Sequence, residues 1–315
     1  MSDVWEVAGL KAAPGSFVQG MVDLPGVSSR IPLFLLNGRA DGPMTVILGG
    51  VHGCEYTSID AAIQLVDRFK QLEALGRVAI VPVVSMDAYS ARSLYVHPTD
   101  RKNLNRICPG NEHGTETERL AFQLFQTFLR PCDILIDLHG GDMCESLVPH
   151  IYWYQTPDPV LNEKARRFAQ YFGIPYIYRS RALGSVYQSA AGAGNISVLA
   201  EAGQHGILYP ALATMLVDGC LNALRSVGVL PGTPFEPSGQ VDIEKSWWPE
   251  SDQFGAWYPA VKAGDRVQAG QKMGEIRDLF GNPLKEYFAE GAGVVLMCMT
   301  SLAINPGETL FAIGC

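Results

Sequence analysis

Residues 44–69 constrain the fold more than any other stretch of the chain, because they have the pattern of a buried strand that leads into a helix. Residues 44–48 (MTVIL) form a short apolar run, as in strands that are covered on both faces. Two glycines interrupt the run, and apolar side chains then recur at helical spacing through residues 57–69. Open α/β sheets place their sites where strands end and helices begin, so residues 49–56 are a candidate site.

Two side chains in this turn, His52 and Glu55, are suited to hold a zinc ion. They are three residues apart, so both can face one point across a helical turn or a tight loop. A catalytic zinc needs a third protein ligand and one open position. His139 supplies that ligand, because residues 133–141 (DILIDLHGG) form a second apolar run that ends in a histidine and two glycines. The alternative for the first pair is a core histidine beside a glutamate at a helix start.

The first two thirds of the chain alternate between strand and helix patterns. These patterns predict strands at residues 77–84, 147–154, 174–178 and 195–201, and helices at residues 116–128, 161–172 and 207–227. Residues 17–37 contain turn-forming residues near their middle and are expected to form a lead-in hairpin. The alternation predicts an α/β fold with a mostly parallel central sheet that is flanked by helices.

The chain changes character after Pro231. Residues 232–239 are rich in proline and glycine, as in a linker, so we expect a zinc-dependent catalytic domain at 1–235 and a small all-β domain at 236–315. Two segments of the second domain resemble the halves of a barrel-sandwich domain of the biotinyl or lipoyl type. The hairpin between those halves presents a lysine in the carrier proteins, and the matching residues 277–282 (RDLFGN) have none. We therefore expect this domain to cap the active site or to serve in assembly.

The composition limits the classes of partner. A formal net charge of −8 over 315 residues argues against binding to nucleic acid or to an anionic membrane. No stretch approaches the roughly 18 apolar residues of a membrane span, and the N-terminus lacks the pattern of a signal peptide. Seven cysteines without paired spacing fit reduced thiols. These features predict a cytoplasmic protein with neither a nucleic-acid nor a membrane partner, and they leave open whether it forms a homo-oligomer.

Four motifs follow one another in a specific order: GGVHGCE at 49–55, NLNR at 103–106 with a Pro-Gly pair after it, DLHGG at 137–141 and VLAEAG at 198–203. In this order they resemble the succinylglutamate desuccinylase/aspartoacylase family of zinc amidohydrolases, and the likeness extends over roughly residues 30–315. The resemblance implies a fold and site similar to those of the zinc carboxypeptidases, with one zinc ion per chain. It also implies that Glu201 is the general base and that Asn105 and Arg106 clamp a substrate carboxylate.

The sequence departs from the family pattern at two positions. The family often has an aspartate that holds a zinc-binding histidine, and this chain has Asn103 there, whose carbonyl can accept the same hydrogen bond without a charge. The family tends to have an arginine that stabilises the oxyanion, and the nearest matching position here is Tyr95. Arg92 and Arg101 are the candidate catalytic arginines in this region, and Tyr95 can itself donate a hydrogen bond.

Together these observations predict zinc-dependent hydrolysis of the amide bond of an N-acyl amino acid or a related small carboxylate, of the deacylase or desuccinylase type. One alternative is a zinc carboxypeptidase that acts on peptides, which an open groove would favour. Another is a metal-dependent binding protein without turnover, and a complete set of three ligands and a base argues against it. The structural alternatives are that Glu201 caps the following helix or pairs on the surface, and that Arg106 forms a surface salt bridge.

Overall fold

The computed structural model describes residues 3–315. The strands are β1 (Trp5–Val7), β2 (Leu10–Ala12), β3 (Ser16–Val22), β4 (Ile31–Asn37), β5 (Met44–Leu48), β6 (Arg77–Val81), β7 (Ile134–His139), β8 (Glu145–Leu147), β9 (His150–Tyr154), β10 (Tyr176–Ser180), β11 (Ile196–Glu201), β12 (Val241–Ile243), β13 (Ser246–Trp247), β14 (Gly255–Pro259), β15 (Arg266–Val267), β16 (Lys272–Arg277), β17 (Pro283–Phe288), β18 (Gly293–Met299), β19 (Ala303–Ile304) and β20 (Phe311–Gly314). The α-helices are α1 (Tyr56–Phe69), α2 (Met86–Ala91), α3 (Glu116–Leu124), α4 (Pro159–Tyr171), α5 (Val186–Gly192) and α6 (Pro210–Ser226). A 3₁₀ turn covers Leu104–Arg106, and a π-helical turn at Phe125–Leu129 extends α3.

A nine-stranded mixed sheet forms the centre of the molecule, in the order β12-β10-β9-β11-β7-β5-β6-β4-β3. Five neighbouring pairs are parallel, and β9 with β11, β6 with β4 and β4 with β3 are antiparallel. The expected α/β sheet and its lead-in hairpin, β3 with β4, are confirmed. The sheet is less uniformly parallel than expected, because residues 140–149 between β7 and β9 are too few for a helical crossover, so β9 runs back along the sheet.

Helices cover both faces of this sheet. Helices α1, α4 and α6 contribute to the apolar core on one face, and α3 and α5 contribute to the core on the other face. Successive side chains of β5 point to opposite faces, so Val46 and Ile47 belong to different cores. This explains why the buried strands appear as continuous apolar runs in the sequence. Within residues 3–315, none of the helices has both the length and the hydropathy required to span a bilayer.

The C-terminal residues form two more sheets, in the orders β13-β20-β18-β15 and β17-β16-β14-β19. Both contribute to a separate apolar core that contains Trp257. The residues RDLFGN form the turn between β16 and β17, which agrees with the expected hairpin. Strand β18 also pairs with β8, and β12 joins the large sheet beside β10. The strand β12 therefore belongs to the large sheet although it follows residue 235, and the domain boundary stays a prediction.

The carboxyl ends of β5, β7 and β11 meet at one edge of the large sheet, because these three strands are adjacent and parallel. In the β7–β11 pair, His139 lies opposite Glu201. In the β5–β7 pair, Leu48 lies opposite Asp137, so the turn after β5 begins beside the end of β7. The strand register therefore gathers three of the four motif segments at a single place.

Candidate metal and substrate site

Three side chains that could hold a metal ion converge at this edge. His52 lies in the turn after β5, Glu55 directly precedes α1, and His139 ends β7. One ligand atom from each lies within 4.8 Å of the other two. His52 Nδ1 is 2.6 Å from Glu55 Oε1, and His139 Nδ1 is 2.9 Å from Glu55 Oε2. All three residues are buried, and the structure brings together the set that the sequence predicts.

Glycines around His52 are required by close packing of the turn. A Cβ atom on Gly53 would lie 2.2 Å from the carbonyl carbon of Ala88, a distance that excludes any side chain. Gly50 has a φ of +60°, which glycine adopts without a steric penalty. The turn can therefore reverse sharply and place His52 over the end of the sheet.

The outer nitrogen of each imidazole faces an oxygen atom. His52 Nε2 is 3.0 Å from Asn103 Oδ1, which also accepts a hydrogen bond from the backbone N–H of Asn105. His139 Nε2 is 3.2 Å from Asp137 Oδ1, an ion-pair distance without the alignment of a hydrogen bond. An oxygen atom beside Nε2 favours the form of the ring that carries its proton on Nε2. In that form the lone pair of Nδ1 is free to bind a metal. Asn103 thus lies where the sequence predicts an orienting partner.

The electrostatics of the cluster fit a divalent cation. Burial acts to raise the pKa of Glu55, but the charges of His139 and His52 outweigh it and lower this pKa to about 2. Burial acts to lower the pKa of His139, but Asp137 and Glu55 raise it well above its ordinary value. Buried charges are normally paired or coordinate a metal, and a cation bound between these three side chains would offset the charge of Glu55. Two imidazole nitrogens and one carboxylate are also a common donor set of catalytic zinc.

Glu201 faces this cluster from the end of β11. Its Oε2 atom is buried and has no hydrogen-bond partner within residues 3–315. Burial raises the pKa of Glu201 to about 8, although the charge of His139 acts in the opposite direction. A carboxyl group whose pKa lies near neutrality can both accept and donate a proton. The group is therefore poised for general acid–base chemistry beside the three ligands.

The ligands and Glu201 line one cavity of about 640 Å³, together with Asn105 and Arg106. Asn105 Oδ1 accepts a hydrogen bond from Val186 N at 2.8 Å, which fixes the amide and leaves its NH₂ group as a donor. One guanidinium nitrogen of Arg106 donates to the backbone oxygen of Asn105 at 2.8 Å. The remaining N–H groups form a planar fork on an exposed side chain. Such a fork beside an amide can bind a carboxylate.

Neither arginine that was expected to stabilise the oxyanion lines this cavity. Arg92 ends α2 in the left-handed conformation with a φ of 52°, and Arg101 has a φ of 60°. Both residues are exposed, and neither is among those that line the cavity. Tyr95 does line the cavity. On this geometry neither arginine is placed for the expected role, which stays a prediction without structural support.

Several cavity residues were not predicted from the sequence. Asp142 and Glu145 line the cavity and follow His139 within six residues. Their position directly after the DLHGG motif could have indicated that they lie near the site. Tyr152 and Tyr187 line the cavity from β9 and α5. The C-terminal sheets and their loops add Trp248, Glu250, Met297, Met299, Glu308 and Thr309. These C-terminal residues reach the cavity only through tertiary packing, which no local sequence pattern predicts.

The chain is similar to a known protein family and to one characterised deacetylase. Residues 41–227 match the model of the succinylglutamate desuccinylase/aspartoacylase catalytic domain, a range that contains the three ligands and Glu201. The chain is also similar to the N-alpha-acetyl-L-2,4-diaminobutyric acid deacetylase of Halomonas elongata. The two are 30% identical over 285 residues, which cover 88% of this chain and 83% of that protein.

Solved structures share the fold over nearly the whole chain. The crystal structure of succinylglutamate desuccinylase/aspartoacylase from Rhodobacter sphaeroides has a TM-score of 0.83 at 24% identity and covers 95% of each chain. The product-bound structure of the ectoine utilization protein EutE (DoeB) from Ruegeria pomeroyi has a TM-score of 0.83 at 26% identity, again over 95% of each chain. Coverage of this extent includes most of the C-terminal sheets, so the large sheet and the smaller ones recur together.

Proposed function

The chain belongs to the succinylglutamate desuccinylase/aspartoacylase family, and from this membership we propose that it hydrolyses the amide bond of an N-acyl amino acid or a related small carboxylate. The supporting observation is that three metal-ligating side chains, Glu201 and Arg106 line one cavity. The relative from Halomonas elongata is named as the deacetylase of an N-acetyl amino acid, which is a bond of this class. Deacylation or desuccinylation is therefore the proposed reaction type.

The proposed cofactor is zinc, one ion per chain, held by His52, Glu55 and His139. With these three protein ligands, a zinc ion would keep one position free for water or substrate, as catalytic zinc sites do. When bound, such an ion acts as a Lewis acid on a carbonyl group and lowers the pKa of its water to about 7. Asn103 and Asp137 lie where they can keep the imidazole rings oriented for this task.

Glu201 is the proposed general base and general acid. Its buried, unpartnered oxygen can take the proton of the attacking water and return it to the departing amine. A cation in the neighbouring cluster lowers the pKa of this carboxyl group from its value near 8, which favours the ionised base at neutral pH. The register of the β7–β11 pair places Glu201 beside His139, the proposed ligand.

Asn105 and Arg106 form the proposed clamp for the carboxylate of the substrate. The guanidinium fork offers parallel N–H donors, and the amide of Asn105 adds another. The hydrogen bond from Val186 N holds this amide in one orientation. A substrate that is held here by its carboxylate presents its amide bond to the cavity that contains Glu201.

The proposed catalytic domain, residues 1–235, has a zinc carboxypeptidase-like arrangement, and residues 236–315 form the β domain that caps it. The capping role is supported by the side chains of this segment that line the cavity, which are those of Trp248, Glu250, Met297, Met299, Glu308 and Thr309. A cavity that is closed on this side by the C-terminal domain has room for a small substrate but not for a long peptide. We also propose a cytoplasmic setting, and the seven free cysteines, six of them at least partly buried, suit a reducing compartment.

A hydrolysis screen tests the proposal. The full-length chain is loaded with zinc and given N-acetyl, N-succinyl and longer N-acyl amino acids, and the release of free amine is measured. We expect release from at least one class, with loss of the rate after chelation and recovery when zinc is returned. The absence of release from every N-acyl amino acid would overturn the proposed function, and release from longer peptides alone would favour a carboxypeptidase.

A further inference from the structure

Tyr152 lies on β9, the strand that pairs with β11 on the side away from β7. In the β9–β11 pair, Tyr152 lies opposite Leu199, and His150 lies opposite Glu201. Residues two apart on a strand share a face of the sheet, and all four of these residues line the cavity. Tyr152 is therefore the diagonal neighbour of the proposed base across this strand pair, a separation that an aromatic side chain can span.

The ring of Tyr152 is held by two other aromatic rings. Its centroid lies 4.9 Å from that of Tyr178 on β10 and 6.2 Å from that of Tyr187 on α5. Tyr187 follows Val186, whose backbone N–H donates to the side chain of Asn105 in the proposed clamp. The ring of Tyr152 therefore neighbours both the strand that ends in the proposed base and the segment that holds the proposed clamp.

A chain of two hydrogen bonds fixes the direction of the Tyr152 O–H group. His150 Nδ1 is 2.8 Å from Val148 O, and His150 Nε2 is 2.8 Å from the hydroxyl oxygen of Tyr152. A carbonyl oxygen can only accept a hydrogen bond, so Nδ1 carries a proton. His150 is 1% exposed, and burial lowers its pKa to about 4, so the ring carries no second proton at neutral pH. Nε2 is then an acceptor, and the hydroxyl of Tyr152 donates to it.

Towards any bound molecule, the hydroxyl oxygen of Tyr152 can therefore act only as an acceptor. A phenol has a single O–H, which is directed at His150, and its oxygen can still accept a hydrogen bond. Within residues 3–315, His150 is the one hydrogen-bond partner of this hydroxyl. Its accepting capacity is left for a donor that enters the cavity.

We propose that the hydroxyl oxygen of Tyr152 accepts a hydrogen bond from the N–H of the amide bond that is hydrolysed, and that His150 is the positioning residue that holds this hydroxyl as an acceptor. The inference rests on the proposed function and adds a specificity-determining residue to it. In an N-acyl α-amino acid, the amide nitrogen and the carboxylate are attached to the same carbon atom. A carboxylate bound by Arg106 and Asn105 therefore brings this N–H to the neighbourhood of the clamp, where Tyr152 lies.

The contact has a consequence for the departing nitrogen. In the proposed reaction, water adds its oxygen to the carbonyl carbon and gives a proton to Glu201, the C–N bond breaks, and Glu201 returns the proton to the nitrogen. While the original N–H is directed at Tyr152, the lone pair of the nitrogen points away from that oxygen and is free to take the proton from Glu201. An ester has no N–H and places an oxygen atom against the oxygen of Tyr152. The same contact therefore selects amides over esters.

A matched amide and ester test the role of Tyr152. The best amide substrate from the screen is compared with the ester in which an oxygen atom replaces its N–H, with the zinc-loaded full chain and with Tyr152→Phe. In the variant the ratio of kcat/KM for the amide to that for the ester should fall by roughly 10- to 100-fold, with zinc content unchanged. The amide loses its acceptor, whereas the ester loses an unfavourable neighbour. Tyr258→Phe, which removes an exposed hydroxyl on β14, is the matched control and should preserve the ratio.

Two variants of His150 test the positioning role. His150→Phe removes the acceptor at Nε2 and frees the hydroxyl of Tyr152 to donate, so the ratio should fall by about tenfold. His150→Gln keeps an acceptor for the hydroxyl and a donor for the carbonyl of Val148, and it should restore most of the ratio. In Tyr152→Phe the further change His150→Phe should leave the ratio unchanged, because His150 acts through the hydroxyl. The parental ratio in His150→Phe would overturn the positioning role.

The outcomes distinguish this inference from the proposed function. Equal losses on the amide and the ester in Tyr152→Phe, as expected of a purely structural role, would overturn the inference and leave the proposed function intact. Parental rates on both substrates would do the same. No hydrolysis of any N-acyl amino acid by the parent chain would overturn the proposed function and the inference with it.

Discussion

Glu201 and His139 lie directly opposite each other across the β11–β7 strand pair, although they are far apart in the sequence. Both residues end parallel strands, so backbone hydrogen bonds of the sheet set the position of the proposed base relative to the proposed metal ligand. Sites on rigid elements are held more precisely than sites on loops. The relationship implies that metal binding and proton transfer can be separated by single substitutions at this sheet edge.

Removing one imidazole should abolish tight metal binding. His52→Ala and His139→Ala should each retain less than about a tenth of an equivalent of zinc after dialysis, because the remaining two ligands hold the ion poorly. Metal analysis of the purified variants by mass spectrometry measures this. His113→Ala, which changes an exposed loop histidine, is the control and should keep the zinc of the parent chain. Full zinc content in both of the other variants would contradict the ligand assignment.

Glu201→Gln should keep the metal and lose activity. The amide has nearly the same size but cannot accept the proton of water, so we expect kcat to fall by roughly 10²-fold or more. Steady-state kinetics on the best substrate from the screen, combined with metal analysis, gives both readouts. Glu290→Gln on an exposed C-terminal position should change neither. Near-parental kcat in Glu201→Gln would mean that another group is the base.

The predictions that succeeded depend on local patterns. The strand β5 and the strand β7 were recognisable because burial on both faces leaves continuous apolar runs, and α1 because its apolar side chains recur at helical spacing. His52 and Glu55 follow the end of β5, and His139 ends β7. The predicted strand ends were therefore enough to expect these three residues at one edge of the sheet. The orienting contact of Asn103 followed from its place in a motif.

The features that the sequence did not predict depend on long-range packing and on the direction of the chain. Met297 and Met299 reach the cavity because β18 pairs with β8, a contact between segments that share no sequence pattern. Arg92 and Arg101 precede the clamp in the sequence, but neither lines the cavity, and their role in stabilising the oxyanion stays a prediction. The reversed direction of β9 follows from the short connection before it, which periodicity does not reveal.

Arg106→Lys should impair substrates with a free carboxylate. An ammonium keeps the charge but not the planar fork, so we expect kcat/KM to fall by roughly 30- to 1,000-fold, or about 2 to 4 kcal/mol of transition-state binding. The same substrate with its carboxylate amidated should be poor for the parent chain and little worse for the variant. Arg130→Lys, at an exposed position outside the cavity lining, is the control. Equal losses on both substrates would show that Arg106 does not contact the carboxylate.

His150 links protein stability to pH. It is 1% exposed at the start of β9, and its two ring nitrogens lie 2.8 Å from Val148 O and 2.8 Å from the Tyr152 hydroxyl. A neutral imidazole satisfies both contacts, by donating to the carbonyl and accepting from the phenol. Burial lowers the pKa of His150 from 6.5 to about 4. The folded chain therefore keeps this side chain neutral at pH values where the unfolded chain binds a proton.

Because the pKa of His150 is depressed in the folded state, its contribution to stability is fully present above pH 6.5 and is lost as the pH falls toward 4. The loss should reach about 2 kcal/mol at pH 5. Urea unfolding of the parent chain and of His150→Gln at pH 7.5 and pH 5 measures it, since other titrating groups are common to both. The variant should be less stable at pH 7.5 but should lose about 2 kcal/mol less on acidification. His113→Gln should follow the parent chain, because this histidine is exposed. An identical loss in the parent chain and in His150→Gln would show that His150 takes up its proton equally well in the folded and unfolded states.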